Sequence, residues 1–196
     1  MDVMTRNQTA GFSGVAAGVG FPILLILFAA LDPDYHHGTK AVSELGVVGA
    51  DNALAWNLTG FLGIGMLLAG FGWGLGRSVE DRFTVGMLTL FGLAFAATAI
   101  PADMDNLRSP GSIAHIAASQ LVFLFWLVGL GRLMFVKRAG GLVRLLAVLG
   151  LLLAVGSIIL RGSDLLSPAW AQRVTFGVVF GWVLANGIVL WRRPAA

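Results

Sequence analysis

The chain contains no cysteine, which removes disulfides, thiolate metal sites, iron–sulfur clusters and cysteine nucleophiles from consideration. Charge is scarce too: Asp, Glu, Lys and Arg make up 12% of the 196 residues, against roughly 25% in an average soluble domain. With one tyrosine and three histidines, acid–base chemistry must fall to His36, His37, His115 and a few carboxylates. No G-x-S-x-G or H-E-x-x-H motif occurs, so the common signatures of serine hydrolases and zinc proteases are absent.

What the chain has instead is apolar length. Hydrophobic residues make up 57% of it and the mean hydropathy is +0.85, a balance that identifies lipid as the solvent. Six apolar runs account for nearly all of residues 1–196: Gly11–Leu31, Leu54–Gly76, Phe83–Pro101, Ser112–Phe135, Gly141–Arg161 and Pro168–Trp191. Each is near the ~20 residues that cross a hydrocarbon core. The expectation is one all-α transmembrane domain, a six-helix bundle with antiparallel neighbours, because connections such as Arg77–Arg82 and Val136–Gly140 are too short for anything else. The first run exceeds the roughly 7–15 residues of a signal-peptide core and is read as a retained span.

The net charge of +3 does not indicate a nucleic-acid partner, because the basic residues sit at helix ends. Arg6, Arg77, Arg82, Arg132, Lys137, Arg138, Arg144, Arg192 and Arg193 share one side, nine of the thirteen. That places both termini in the cytoplasm of a multi-pass cell-membrane protein. Lys40, Arg108, Arg161 and Arg173 lie on the outer side. Asp2, Glu80 and Asp81 are inner, whereas the outer side holds the other seven acids, Asp164 among them. Gly14/Gly18 and Gly72/Gly76 have the four-residue spacing of close helix packing, within the bundle or across a homo-oligomer face. Trp73, Trp182 and Trp191 are expected as interface anchors or packing residues.

All three histidines fall on the outer side. In the first outer loop, Thr39–Leu45 reads as a short amphipathic helix closed by Gly46 as its cap. His36, Lys40, Ser43 and Glu44 would occupy one face, and Ala41, Val42 and Leu45 the other. Ser109-Pro110 and Ser167-Pro168 read as an N-cap followed by proline at the first helical position. His115 follows about 6–9 Å below such a cap, on a stripe with Ser112 and Ser119. An ionisable group at that depth marks a candidate site. Arg161 and Arg173 oppose the inside-positive trend, so each pairs with an outer carboxylate or binds an anionic group such as a lipid phosphate. Asn57 can join either network.

Tyr35-His36-His37, then Ser43-Glu44-Leu45-Gly46, then Pro101-Ala102-Asp103, then Gly111-Ser112-Ile113-Ala114-His115, resemble in order the motifs of the DUF998 family of small polytopic membrane proteins. The resemblance implies the architecture and the candidate positions, with either loop histidine as the matching one, and it implies no reaction.

Two classes of function compete. One is a binding protein, a sensor, accessory subunit or small transporter that holds a lipid, ion or partner in an outer-face pocket. Its contacts would come from His36, His37, Ser112, Arg161, Arg173 and Asn57. The other is an intramembrane hydrolase or transferase acting on a lipid-like substrate. His115 would serve as base, Asp103 as orienting group, Ser43 or Ser112 as nucleophile or substrate contact, with Glu44 beside them. A metal version would combine a loop histidine, His115 and Asp103 or Glu44, although no ligand spacing enforces it. The cofactor is left open, and transport has little support because spans two, three and five carry no midplane charge.

Overall fold

The structure is a computed structural model, described for residues 6–163 and 165–192. Six helices make up the fold: α1 (Arg6–Leu31), α2 (Ala53–Ser78), α3 (Arg82–Ala97), α4 (Pro110–Leu133), α5 (Gly140–Gly162) and α6 (Pro168–Trp191). No strand occurs among the described residues. Five helices are long and apolar enough to cross a membrane. The exception, α3, has 16 residues and extends about 24 Å at 1.5 Å per residue, short of the roughly 30 Å hydrocarbon core.

The expected span Phe83–Pro101 is therefore too long at its C-terminal end. Thr98 turns its hydroxyl back to donate to the Phe95 carbonyl at 2.6 Å, and the chain leaves the helix before Pro101, whose ring disfavours helical geometry at Ile100. The serine–proline starts form as the sequence indicates. Ser109 Oγ accepts from Ser112 N at 3.2 Å, and Ser167 Oγ accepts from Trp170 N at 3.3 Å.

Ile23, Ile26, Leu27, Leu152, Leu153, Ile158 and Ile159 are all exposed in mid-helix, an apolar belt that water would not tolerate and lipid solvates. The protein is membrane-embedded. Each helix packs on its sequence neighbours and α6 returns against α1, closing a ring in which the α4–α5 seam is the loosest. Small residues bring backbones together. A methyl group at Gly18 would lie 2.7 Å from Leu184 Cβ, and one at Gly92 would collide with the Ala69 backbone. Gly14, Gly18, Gly72 and Gly76 likewise face helices of the same chain.

Aromatic rings fill the middle. Phe21 stacks on Phe180 at 4.1 Å, Phe95 meets both edge-on, and Trp126 and Phe71 meet Trp182 at 6.1 and 5.8 Å. Trp182 is a packing residue in this core, while Trp73 and Trp191 stay exposed near the arginine-rich end. That end is tied by two ion pairs, Arg138 to Glu80 and Arg132 to Asp81. Asp81 also caps α3 by accepting from Thr84 N at 2.9 Å and Thr84 Oγ1 at 2.8 Å.

Candidate functional site

The opposite, histidine-bearing end is built on the first loop. The short helix expected over Thr39–Leu45 forms three residues later, as a 3-10 helix over Val42–Gly46, after a turn at His36 whose carbonyl accepts from Thr39 N and Lys40 N. Two side chains take over the backbone donors that an α-helix would leave open at its start. Glu44 Oε1 accepts from Ala41 N at 2.7 Å, and Gln172 Oε1, from α6, accepts from Val42 N at 2.8 Å. Val42 and Leu45 are buried beneath the turn, so its apolar side faces the bundle. Gly46 is not the expected left-handed cap; the positive φ in this loop belongs to Gly49, at 89°. A Cβ at Gly46 would collide with Asn57, whose Nδ2 donates to the Gly46 carbonyl at 2.8 Å.

Arg173 of α6 pins this loop down. Its Nη2 donates to Tyr35 Oη at 2.6 Å, its Nη1 to the Lys40 carbonyl at 3.0 Å and the Ala169 carbonyl at 2.9 Å, and its Nε to His37 Nδ1 at 3.3 Å. Tyr35 Oη in turn donates to the Ala41 carbonyl at 3.1 Å. Burial pushes the Tyr35 hydroxyl up to about 12, with Glu44 and Asp32 acting in the same direction and Arg173 against it. Burial first, and then the Arg173 charge, hold His37 below the ordinary histidine value. All of Arg173's acceptors are neutral, so of the two roles expected for it, carboxylate pairing or anion binding, the first does not occur among the described residues. Neither Arg161 nor Arg173 has an ion-pair partner there; Asp2, Asp164 and Arg193 lie outside the described residues.

The start of α4 is a second knot. Ser112 Oγ sits among the Asp103 N–H, the Asp103 and Asn106 carbonyls and the Ser109 hydroxyl, at 2.9–3.1 Å. The Asp103 carboxylate accepts from Asp105 N and Asn106 N at 3.0 and 3.1 Å. Both side chains are occupied in shaping the loop. One turn deeper, His115 is 8% exposed and its Nδ1 lies 3.0 Å from the Ile100 carbonyl. Since a carbonyl only accepts, Nδ1 carries the proton in the neutral ring and Nε2 is the acceptor. A π-helical stretch in α2, Asn57–Gly63, sets the Phe61 ring 6.2 Å from that of His115.

Between these knots lies a cavity of about 270 Å³. Ser43, His115, Arg161, Gln172, Ser119 and Gln120 give it polar walls, and Phe61, Phe95, Phe123 and Phe176 give it an aromatic floor. Three of the expected site residues, Ser43, His115 and Arg161, meet here. The others do not line it. Asp103 and Ser112 belong to the α4 knot, His37 and Arg173 to the clamp, Asn57 to the Gly46 contact, and Glu44 to its own turn. His36 is exposed and contributes its carbonyl. Among the described residues no three His, Asp or Glu side chains come together as a metal site.

Sequence reasoning left Tyr35 off the site although it is the sole tyrosine and opens the histidine motif. Gln120, Thr98 and Thr175 also line the cavity or its rim and were missed; polar side chains inside apolar runs were the available signal. Against known proteins, the model of a family described as "Protein of unknown function (DUF998)" matches residues 15–189. No curated protein and no solved structure matches the chain.

Proposed function

The chain belongs to the DUF998 family of membrane proteins of unknown function, and we propose that it binds an amphipathic ligand, a lipid or lipid-linked molecule with an anionic head, in the cavity at its histidine-bearing end. The observation that supports this reading is the pairing of a polar wall carrying Arg161 with an aromatic floor in one cavity. Arginine is the side chain best suited to a phosphate, and the phenylalanines suit an acyl or isoprenoid chain. At about 270 Å³ the volume falls just below the roughly 300–1,000 Å³ typical of ligand sites. It therefore takes a head group or the end of a chain rather than a whole lipid. The filled aromatic centre of the ring favours binding over passage through the bundle.

In this reading the histidine-bearing end faces outward and both termini face the cytoplasm of the cell membrane, following the bias of Lys and Arg. The cysteine-free chain makes that testable. A cysteine placed at Asp51 should react with an impermeant maleimide on intact cells, and one at Gly141 only after permeabilisation; the reverse pattern would invert the topology. For the ligand, native mass spectrometry of the purified protein should show a retained lipid-like species that weakens at least tenfold in Arg161→Gln. Equal retention in that variant, or an empty wild-type spectrum, would refute the proposal.

A second reading, an enzyme acting on such a molecule, draws support from one feature. The bond from His115 Nδ1 to the Ile100 carbonyl orients Nε2 as a proton acceptor, and Ser43 shares the cavity. Ser112 is the poorer nucleophile because its hydroxyl is already engaged. Turnover of a lipid-linked ester that persists in both Ser43→Ala and His115→Ala would dismiss this reading.

A further inference from the structure

The arginine-rich end carries a second cavity, of about 350 Å³, formed where the start of α1, the end of α2 and the start of α3 meet. Arg6, Arg77 and Arg82 line it, together with Trp73, Glu80 and Asp81. The two carboxylates do not neutralise those arginines. Asp81 is held by Arg132 through both oxygens, and Glu80 is paired with Arg138. Among the described residues Arg6, Arg77 and Arg82 have no carboxylate partner. Among the described residues, three arginines thus line one concave site whose two carboxylates are each paired with a different arginine.

The surroundings fix the level of that site. Trp73 and Phe83 are 45% and 51% exposed, and the Arg77 guanidinium lies 5.9 Å from the Trp73 ring centre. Indole rings settle where acyl chains give way to head groups, so the arginines sit at the height of lipid phosphates. Guanidinium groups bind phosphate oxygens in a forked geometry that an ammonium cannot reproduce. Basic recesses between helices are suited to anionic head groups.

We propose that this recess is a binding site for the phosphodiester head group of an anionic phospholipid in the leaflet at the arginine-rich end. It is separate from the aromatic-floored cavity, and its occupant is a component of the surrounding bilayer. The membrane charge gives each arginine near the surface about a fivefold effect on binding, so losing three should exceed tenfold.

The test uses the full chain in nanodiscs of phosphatidylcholine with a minor share of phosphatidylglycerol, followed by release and native mass spectrometry. Wild type should retain phosphatidylglycerol above its share in the disc. Arg6→Gln/Arg77→Gln/Arg82→Gln should lose that enrichment more than tenfold, whereas Lys137→Gln/Arg144→Gln/Arg192→Gln, which removes as many charges at the same end outside the recess, should keep most of it. All of the substituted arginines of the recess are exposed, so the core is untouched. Arg77→Lys keeps the charge and should lose affinity part-way. Equal loss in the control variant would mean diffuse attraction and overturn the site. Displacement of the lipid by millimolar inorganic phosphate would assign the recess to a soluble anion and overturn the lipid proposal.

Discussion

Arg173→Ala should free the first loop without unfolding the bundle. The side chain makes three hydrogen bonds that cross from α6 to that loop, to Tyr35 Oη at 2.6 Å, the Lys40 carbonyl at 3.0 Å and His37 Nδ1 at 3.3 Å. A hydrogen bond to a charged donor contributes about 1.5–3 kcal/mol. Counting only the two shorter bonds gives an upper range of about 3–6 kcal/mol, which half-burial and water access reduce to about 2–3 kcal/mol. Since these bonds hold a loop and not a helix, the loss should appear in local opening. At 1.36 kcal/mol per factor of ten, amide exchange should accelerate about 30- to 150-fold. The amides to follow are Lys40 N, bonded to the His36 carbonyl, and Val42 N, bonded to Gln172. Amides in the middle of α4 and α6 should keep their protection in hydrogen-exchange mass spectrometry. Arg173→Lys should behave almost as the alanine variant does, because one ammonium cannot reach Tyr35 and Lys40 in the forked arrangement. Unchanged exchange at Val42, or equal acceleration throughout the bundle, would refute the clamp.

The same clamp should respond to acid. His37 is held below the ordinary value of 6.5, so the folded loop binds fewer protons than the open one; the stabilisation is complete above that value and is lost as pH falls through the folded value. Tyr35, raised to about 12, keeps its proton throughout, so protection of Val42 should fall on acidification below about 6.5 and His37→Gln should flatten that dependence. At the other end, Arg132 holds the Asp81 carboxyl far below the ordinary range. Asp81→Ala should cost about 1–2 kcal/mol through lost cap and ion pair, while Asp81→Asn, which still caps, should cost about half, both read as melting shifts in detergent. Gly92→Ala should destabilise by about 1–3 kcal/mol because its methyl would collide with the Ala69 backbone, whereas Gly86→Ala meets open space and should leave the melting temperature unchanged or raised.

Helix number and connectivity were legible because apolar length is a local property. The runs beginning at Pro168 and ending at Leu31 coincide with helix ends, and the serine–proline pairs cap as their chemistry dictates. The end of α3 was less legible, since Thr98 and the proline at 101 stop the helix inside an apolar run. The short helix of the first loop was legible, but its bounds and 3-10 form were not, because its geometry is set from afar: Gln172 lies 130 positions from Val42, and Arg173 136 from His37. Gly46 was read as a cap when its role is to admit Asn57. The candidate site divided for a similar reason. In lipid, helices are apolar on most sides, and the usual alternation of wet and dry faces does not reveal which polar residues point inward. His115 was visible by its depth, and Asp103 and Ser112 looked equally suitable until their bonds to the loop backbone accounted for them.

The ligand-binding reading is tested most directly by photo-crosslinking with a phospholipid carrying a diazirine near the end of one acyl chain. Adducts are expected on the α4 peptide containing Ile116 and Phe123 and the α6 peptide containing Phe176, competed by unlabelled lipid and lost in Arg161→Gln. Adducts confined to the lipid-facing belt of Leu152, Leu153 and Ile159, with no competition and no effect of Arg161→Gln, would contradict it.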